Sequence, residues 1–222
     1  PRLKNTRANF FDSTVKLLYL LNSNNQITYT NFISNDFYQL DLISSVENII
    51  SSSNQYDFKT RNHTLKWLHT FENSTNLINR LIHSTYTPQN LFPEVDSENI
   101  IRFESQIQYS SIQSEYSNAK TEDLSYYAGL EVKRYQINPG TLDPGNGNTI
   151  NPVSLNREVG FESSAYFNLE WKPLPRMALS GGLRLTQFSL LGPFDEAQYT
   201  PEGLFNSITT FESQELVKNY FN

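Results

Sequence analysis

Apolar and polar residues alternate with a period of two over long stretches of this chain, the pattern of strands whose two faces meet different surroundings. Val15, Leu17, Tyr19 and Leu21 mark one face of a first strand. After the polar turn Asn22-Ser23-Asn24-Asn25 the alternation resumes with Ile27, Tyr29, Asn31, Ile33 and Phe37. A polar loop over 38–55, with a short and weakly patterned apolar stretch inside it, leads to a third strand over 56–71 carrying Leu65, Trp67 and Phe71 on one face. A tight turn at Glu72-Asn73-Ser74-Thr75 opens a fourth strand over 76–87, followed by a loop over 88–97 with two prolines. In the next hairpin Ile101, Phe103, Ile107 and Tyr109 alternate with Arg102, Glu104, Gln106 and Gln108. Its turn falls near 118–121, and Leu124, Tyr126, Ala128, Leu130 and Val132 alternate with Tyr127, Glu131 and Lys133. A loop over 138–156 is rich in turn residues, Pro139-Gly140 and Asp143-Pro144-Gly145-Asn146-Gly147. The last hairpin pairs Phe161, Ala165, Phe167, Leu169 and Trp171 with Met177, Leu179, Gly181, Leu183 and Leu185, and a long loop runs from Gly192-Pro193 to about Thr210.

The connections between these eight strands alternate between short and long. In an outer-membrane barrel the periplasmic turns are short and the extracellular loops long, so every second connection is extended. Usable alternation over about 12 residues also exceeds the roughly five to six of strands in soluble domains, whereas a strand tilted across a bilayer needs about 9 to 11. Alternation alone is met equally by a soluble sheet. Loop sorting and strand length favour an all-β, antiparallel, up-and-down transmembrane barrel segment of about eight strands, occupying 1–222 as one partial domain.

Composition agrees with strands: aromatics make up 14% of the chain and charged residues only 18%. A mean hydropathy of -0.52 does not speak against a membrane, because only alternate residues of a barrel strand face lipid. The net charge of -6 offers no basic face to a phosphate backbone, so nucleic acid is not an expected partner. Absence of cysteine removes disulfides and thiol chemistry. No basic, then apolar, leader precedes Phe10, and both ends read as cut from a longer protein, the last residues from 218 onward stopping inside an apolar-aromatic segment.

If the apolar faces meet lipid, the opposite faces line a lumen. Arg102, Glu104, Glu131, Lys133, Glu162, Glu170 and Arg184 are the expected lumen-facing charges. Tyr38, Phe92, Phe194 and Tyr199 are the expected ligand-contacting aromatics of the long outer loops. Tyr38, Tyr56, Tyr86, Tyr135, Phe188 and Phe194, near strand ends, are candidates for an interfacial aromatic girdle. His63 and His69 share a strand face but lie too far apart to form one ligand pair, and His83 stands alone, so no metal site is expected. No catalytic constellation and no cofactor motif is present, and enzymatic activity is not expected.

Several segments carry a family resemblance. The run from Gly129-Leu130-Glu131 to Gln136-Ile137-Asn138-Pro139-Gly140, then Glu162-Ser163-Ser164-Ala165-Tyr166-Phe167, then Gly181-Gly182-Leu183-Arg184-Leu185-Thr186-Gln187-Phe188 and Leu191-Gly192-Pro193, resembles the barrel of TonB-dependent receptors in the form common among Bacteroidota. Earlier, 12–19 and Phe32-Ile33-Ser34-Asn35-Asp36-Phe37 are similar to an upstream strand pair of such barrels. The resemblance implies a 22-stranded barrel closed by a plug, embedded in outer-membrane lipid. It implies uptake of a scarce small-molecule or oligomeric nutrient with energy from the TonB complex. Neither a plug nor a TonB-contacting segment is visible in these residues, so coupling would run through parts of the full-length protein beyond them. The alternatives are a self-contained eight-stranded outer-membrane barrel serving as anchor, adhesin or small pore, and a soluble β-rich binding domain.

Overall fold

The computed structural model describes residues 6–222 apart from 42–43, 47–48, 73–74, 96–97, 119–122 and 147–149. Among the described residues there are fourteen strands and no helix. Eight long strands are those the alternation predicts: β1 (Arg7–Asn22), β2 (Asn25–Leu40), β5 (Asn54–Thr70), β6 (Thr75–Pro93), β7 (Ile100–Asn118), β8 (Leu124–Asp143), β10 (Glu158–Leu174) and β11 (Met177–Leu191). The others are shorter. β3 (Ser44–Val46) pairs β4 (Ile49–Ser51), β9 (Val153–Ser154) lies on β8, β12 (Phe194–Tyr199) pairs β13 (Phe205–Phe211), and β14 (Leu216–Phe221) adds to β11.

The main sheet has ten strands, all antiparallel, in the order β1-β2-β5-β6-β7-β8-β10-β11-β14 with β9 beside β8. Each long strand pairs its sequence neighbours, so the short connections gather at one end and the long ones at the other. At the turn end Ser23-Asn24 and Pro175-Arg176 close two hairpins. The turn expected near 118–121 and half of the one at 72–75 lie outside the described residues. Among the described residues β1 and β14 each have a single partner, so the sheet is open.

Several expected loops contain strand. β2 runs on to Leu40, β8 to Asp143, and the 38–55 and 192–210 loops each contain a hairpin, β3-β4 and β12-β13. The 88–97 loop is mostly strand, since β6 continues through Pro88 to Pro93. The ladder tolerates this because it is interrupted there: the β6-β7 register passes from Tyr86↔Ile107 to Gln89↔Glu104, and the β7-β8 register shifts between Glu104 and Gln106, where Pro139 falls. Ser105 is thus unpaired on both sides, and Pro88 and Pro139 sit where no N–H is required.

Residues directly opposite one another across antiparallel strands share a face, which assigns the residues of the sheet to one of two faces. The first, the band face, carries Val15, Leu17, Ile27, Leu65, Leu81, Ile112, Leu130, Val132, Phe167, Leu183 and Leu185. Among the described residues no second layer covers it: Leu183 is 67% exposed, Leu130 64% and Ile112 63%. The second, the network face, carries Lys66, Arg80, Gln113, Glu131, Lys133, Glu162 and Arg184. Among the described residues the one buried apolar side chain is Ile101, so no hydrophobic core of the ordinary kind exists.

Both faces change character along the strands, in opposite senses. Toward the loop end the band face becomes polar across β5 to β8, with Lys59, Arg61, Gln89, Arg102, Glu104, Gln106, Gln108 and Gln136, while Ile33 and Phe37 on β2 and Val159 and Phe161 on β10 keep apolar side chains on it. At the same level the network face becomes aromatic. The registers of β7 and β8 are unbroken from 106–118 and 126–138, so this is a switch of phase within continuous strands.

Candidate functional site

On the turn-end half of the network face, five neighbouring strands build one polar network. Lys133 Nζ lies 2.9 Å from Glu162 Oε1 and 3.2 Å from Glu131 Oε2. Arg184 Nη2 lies 3.1 Å from Glu131 Oε2 and 3.7 Å from Glu162 Oε1, and donates to Ser164 Oγ at 2.7 Å. Its guanidinium also stacks over the Tyr166 ring, 5.5 Å from the centroid. Tyr166 donates its hydroxyl proton to Glu115 Oε2 at 2.8 Å and accepts from Gln113 Nε2 at 2.8 Å, and Gln113 Oε1 accepts from Arg80 at 2.9 Å.

Geometry explains why these long side chains meet. Glu131, Ser164 and Thr186 face one another in register, as do Lys133 and Glu162, and Gly129, Tyr166 and Arg184. A Cβ on Gly129 would collide with the Tyr166 ring, so the glycine is what lets that ring lie flat across β8. The network holds three cations (Arg80, Lys133, Arg184) and three carboxylates (Glu115, Glu131, Glu162). Such a balanced array lines a polar surface without leaving uncompensated charge.

Of the seven charges expected on one face, Glu131, Lys133, Glu162, Glu170 and Arg184 do share the network face. Glu170 stands apart at the turn end, paired to Lys172 at 3.2 Å. Arg102 and Glu104 belong to the band face instead, where Arg102 approaches Asp143 at 4.0 Å and Glu104 accepts a hydrogen bond from Gln89. The phase switch in β7 causes this correction: Ile107 and Tyr109 stand on the network face, whereas Ile112 and Tyr116 stand on the band face. Sequence reasoning missed Arg80, Gln113, Glu115, Ser164 and Tyr166. Its available signal was a tyrosine across from a glycine, visible only once the register is known.

Above the network, the loop-end half of the same face carries a row of rings. Tyr38 and Tyr56 lie 6.5 Å apart, Phe58 and Tyr86 6.5 Å, Tyr109 and Tyr135 5.5 Å, Phe188 and Tyr220 6.3 Å. Phe188 leans over Gly160, which again has no side chain to obstruct it. The expected girdle residues Tyr38, Tyr56, Tyr86, Tyr135 and Phe188 are therefore on the face away from the apolar band. A different set rims the band at its turn end: Trp67, His69, Phe71, Tyr116, Tyr126 and Phe167 form an unbroken chain of ring contacts.

The four expected loop aromatics do not converge. Tyr38 stands in β2 within the ring row, Phe92 faces Ile101 from β6, and Phe194 and Tyr199 are on the separate β12-β13 hairpin, opposite Phe211 and Phe205. In that hairpin's turn, the Glu202 carboxyl is held below the usual carboxylate range by hydrogen bonds from the Thr200 hydroxyl and its own backbone N–H. His83 is not alone, since it lies directly across from His63. Among the described residues no three metal-ligating side chains come together.

Comparison with known proteins finds no match for the chain among family models, curated proteins or solved structures.

Proposed function

We propose that this sheet is a sector of the wall of a bacterial outer-membrane β-barrel, and that the barrel is a receptor for TonB-dependent uptake of a scarce nutrient. The observation that carries the first part is the uncovered apolar band. In β8 it runs from Leu124 to Val132, nine residues, and the stretch of β10 in register with it runs from Ser163 to Trp171, also nine, which matches the roughly 9 to 11 residues of a strand tilted across a bilayer. Aromatic rings rim it at the turn end, and a charge network lies behind it. In water such a continuous apolar face is costly, since soluble monomers rarely expose patches beyond a few hundred Å².

On this reading the turn end faces the periplasm and the band lies in lipid. The loop-end half stands above the outer leaflet, its polar side toward water and its ring row toward the lumen. That row, with the β12-β13 hairpin, is where the nutrient would be met. The receptor assignment rests on the family resemblance of 129–193, and energy coupling would belong to regions beyond these 222 residues. The unpaired edges of β1 and β14 speak against a self-contained eight-stranded barrel. The reading assigns no catalysis and no cofactor.

Two experiments test it. The native protein should sediment with the outer membrane and show heat-modifiable gel mobility; a water-soluble monomer contradicts the barrel. Deleting the gene should impair growth on the same iron-chelate or oligosaccharide sources as deleting TonB does, and a strain whose growth on all of them is unaffected contradicts the receptor assignment.

A further inference from the structure

The apolar rows of β5 to β8 on the band face all end at one level, toward the loop end. Below that level stand Leu65, Leu81, Ile112 and Val132. Immediately above it His63, His83, Ser110 and Arg134 follow one another in register across the four strands. With Tyr29 and Phe161, these residues line an open groove of about 410 Å³ whose floor is apolar and whose upper rim carries Arg134 and the two imidazoles. The rim is built: His63 Nδ1 is 2.8 Å from the Tyr29 hydroxyl, whose ring stacks on the imidazole, and His83 Nδ1 is 2.9 Å from Ser110 Oγ.

Charge on this border is one-sided. Arg134 and Arg61, the latter one outward position above His63, are exposed, and among the described residues neither has an ion-pair partner. The nearest acids on the same face are higher up and occupied: Asp57 pairs with Lys59 at 2.7 Å, and Glu104 accepts from Gln89.

We infer that this border is a docking site for a phosphorylated lipid of the outer leaflet. Arg134 and Arg61 stand three strands apart, about 14 Å at the usual strand spacing, so Arg134 holds one phosphate and Arg61, with His63 beside it, a second, and the acyl chains lie over Leu65, Leu81, Ile112 and Val132. The inference rests on the reading of the sheet as barrel wall. A guanidinium meets phosphate through two parallel N–H donors, and an apolar shelf directly beneath a cationic rim matches a phosphorylated amphiphile in both halves. A free phosphate would leave the shelf uncovered.

The test uses the protein as its gene encodes it, inserted into vesicles of phosphatidylcholine containing a minor fraction of a diphosphorylated glucosamine lipid. It is then re-extracted in detergent, and the retained lipids are counted by mass spectrometry. The wild type is expected to retain the phosphorylated lipid well above its share of the bilayer. Arg134→Gln and Arg61→Gln should each lower that retention about fivefold, as loss of one cation near an anionic lipid surface does, with heat-modifiable mobility unchanged. Arg134→Lys, which keeps the charge without the fork, should fall between wild type and Arg134→Gln. Insertion with both lipids retained in their bilayer proportions, or a double variant that retains as much as wild type, overturns the site and leaves the wall reading standing. Failure of the wild type to insert into these vesicles overturns both.

Discussion

Tyr166 reaches Glu115 two strands away because Gly129, between them, presents only backbone. That dependence makes the pair testable. Gly129→Val should displace the ring and cost about 1–3 kcal/mol, the usual penalty of overpacking. Tyr166→Phe, which loses only the hydroxyl bonded to a carboxylate, should cost about 1–2 kcal/mol, both measured by urea unfolding in lipid vesicles. The two cations Lys133 and Arg184 bridge the same two carboxylates, so either can compensate in part for loss of the other. Lys133→Met and Arg184→Met should therefore be non-additive, with the double variant worse than the sum by about 0.5–3 kcal/mol. Strict additivity in that cycle would mean the bridges are solvated and independent.

At the scale of the strand, the telling contrast lies along one face of β8. Ala128 stands midway along the band between Leu124 and Val132, and Gln136 is above its upper border. Ala128→Arg should cost about 2–4 kcal/mol of folding stability in vesicles and Gln136→Arg about 0–1, because an arginine is penalised near the bilayer centre and tolerated near the interface. Equal costs would mean that band and border share one environment. The eight long strands were legible in the sequence because alternation depends only on neighbours along the chain. What escaped depends on neighbours across it. Pro88 reads as a strand breaker until the interrupted ladder around Ser105 and Pro139 is seen, and β14 is too short and too far from its partner to announce itself. The phase switch near Ser110 and Arg134 misassigned Arg102 and Glu104: a period-two pattern tells which residues share a face over a few positions, not that the face itself turns from greasy to wet.

For the whole molecule, the opposed gradients on the two faces carry more weight than any single residue. A soluble sheet has no reason to be apolar on one face and charged on the other at one end, then, across β5 to β8, polar on the first and aromatic on the second at the other end. A wall that passes from lipid into water does, since its outer surface must follow its surroundings while its inner surface serves the lumen. The most direct test uses the absence of native cysteine. Single cysteines placed along β8 from 124 to 138 would be spin-labelled and their collision rates with oxygen and with a polar nickel chelate compared in vesicles. Even positions from 124 to 132 should favour oxygen, with odd positions favouring the chelate. From Arg134 upward the even positions should turn to favour the chelate as well. Chelate access at every position, or an alternation that runs to 138 without the change at 134, would contradict a wall that leaves the membrane at that level.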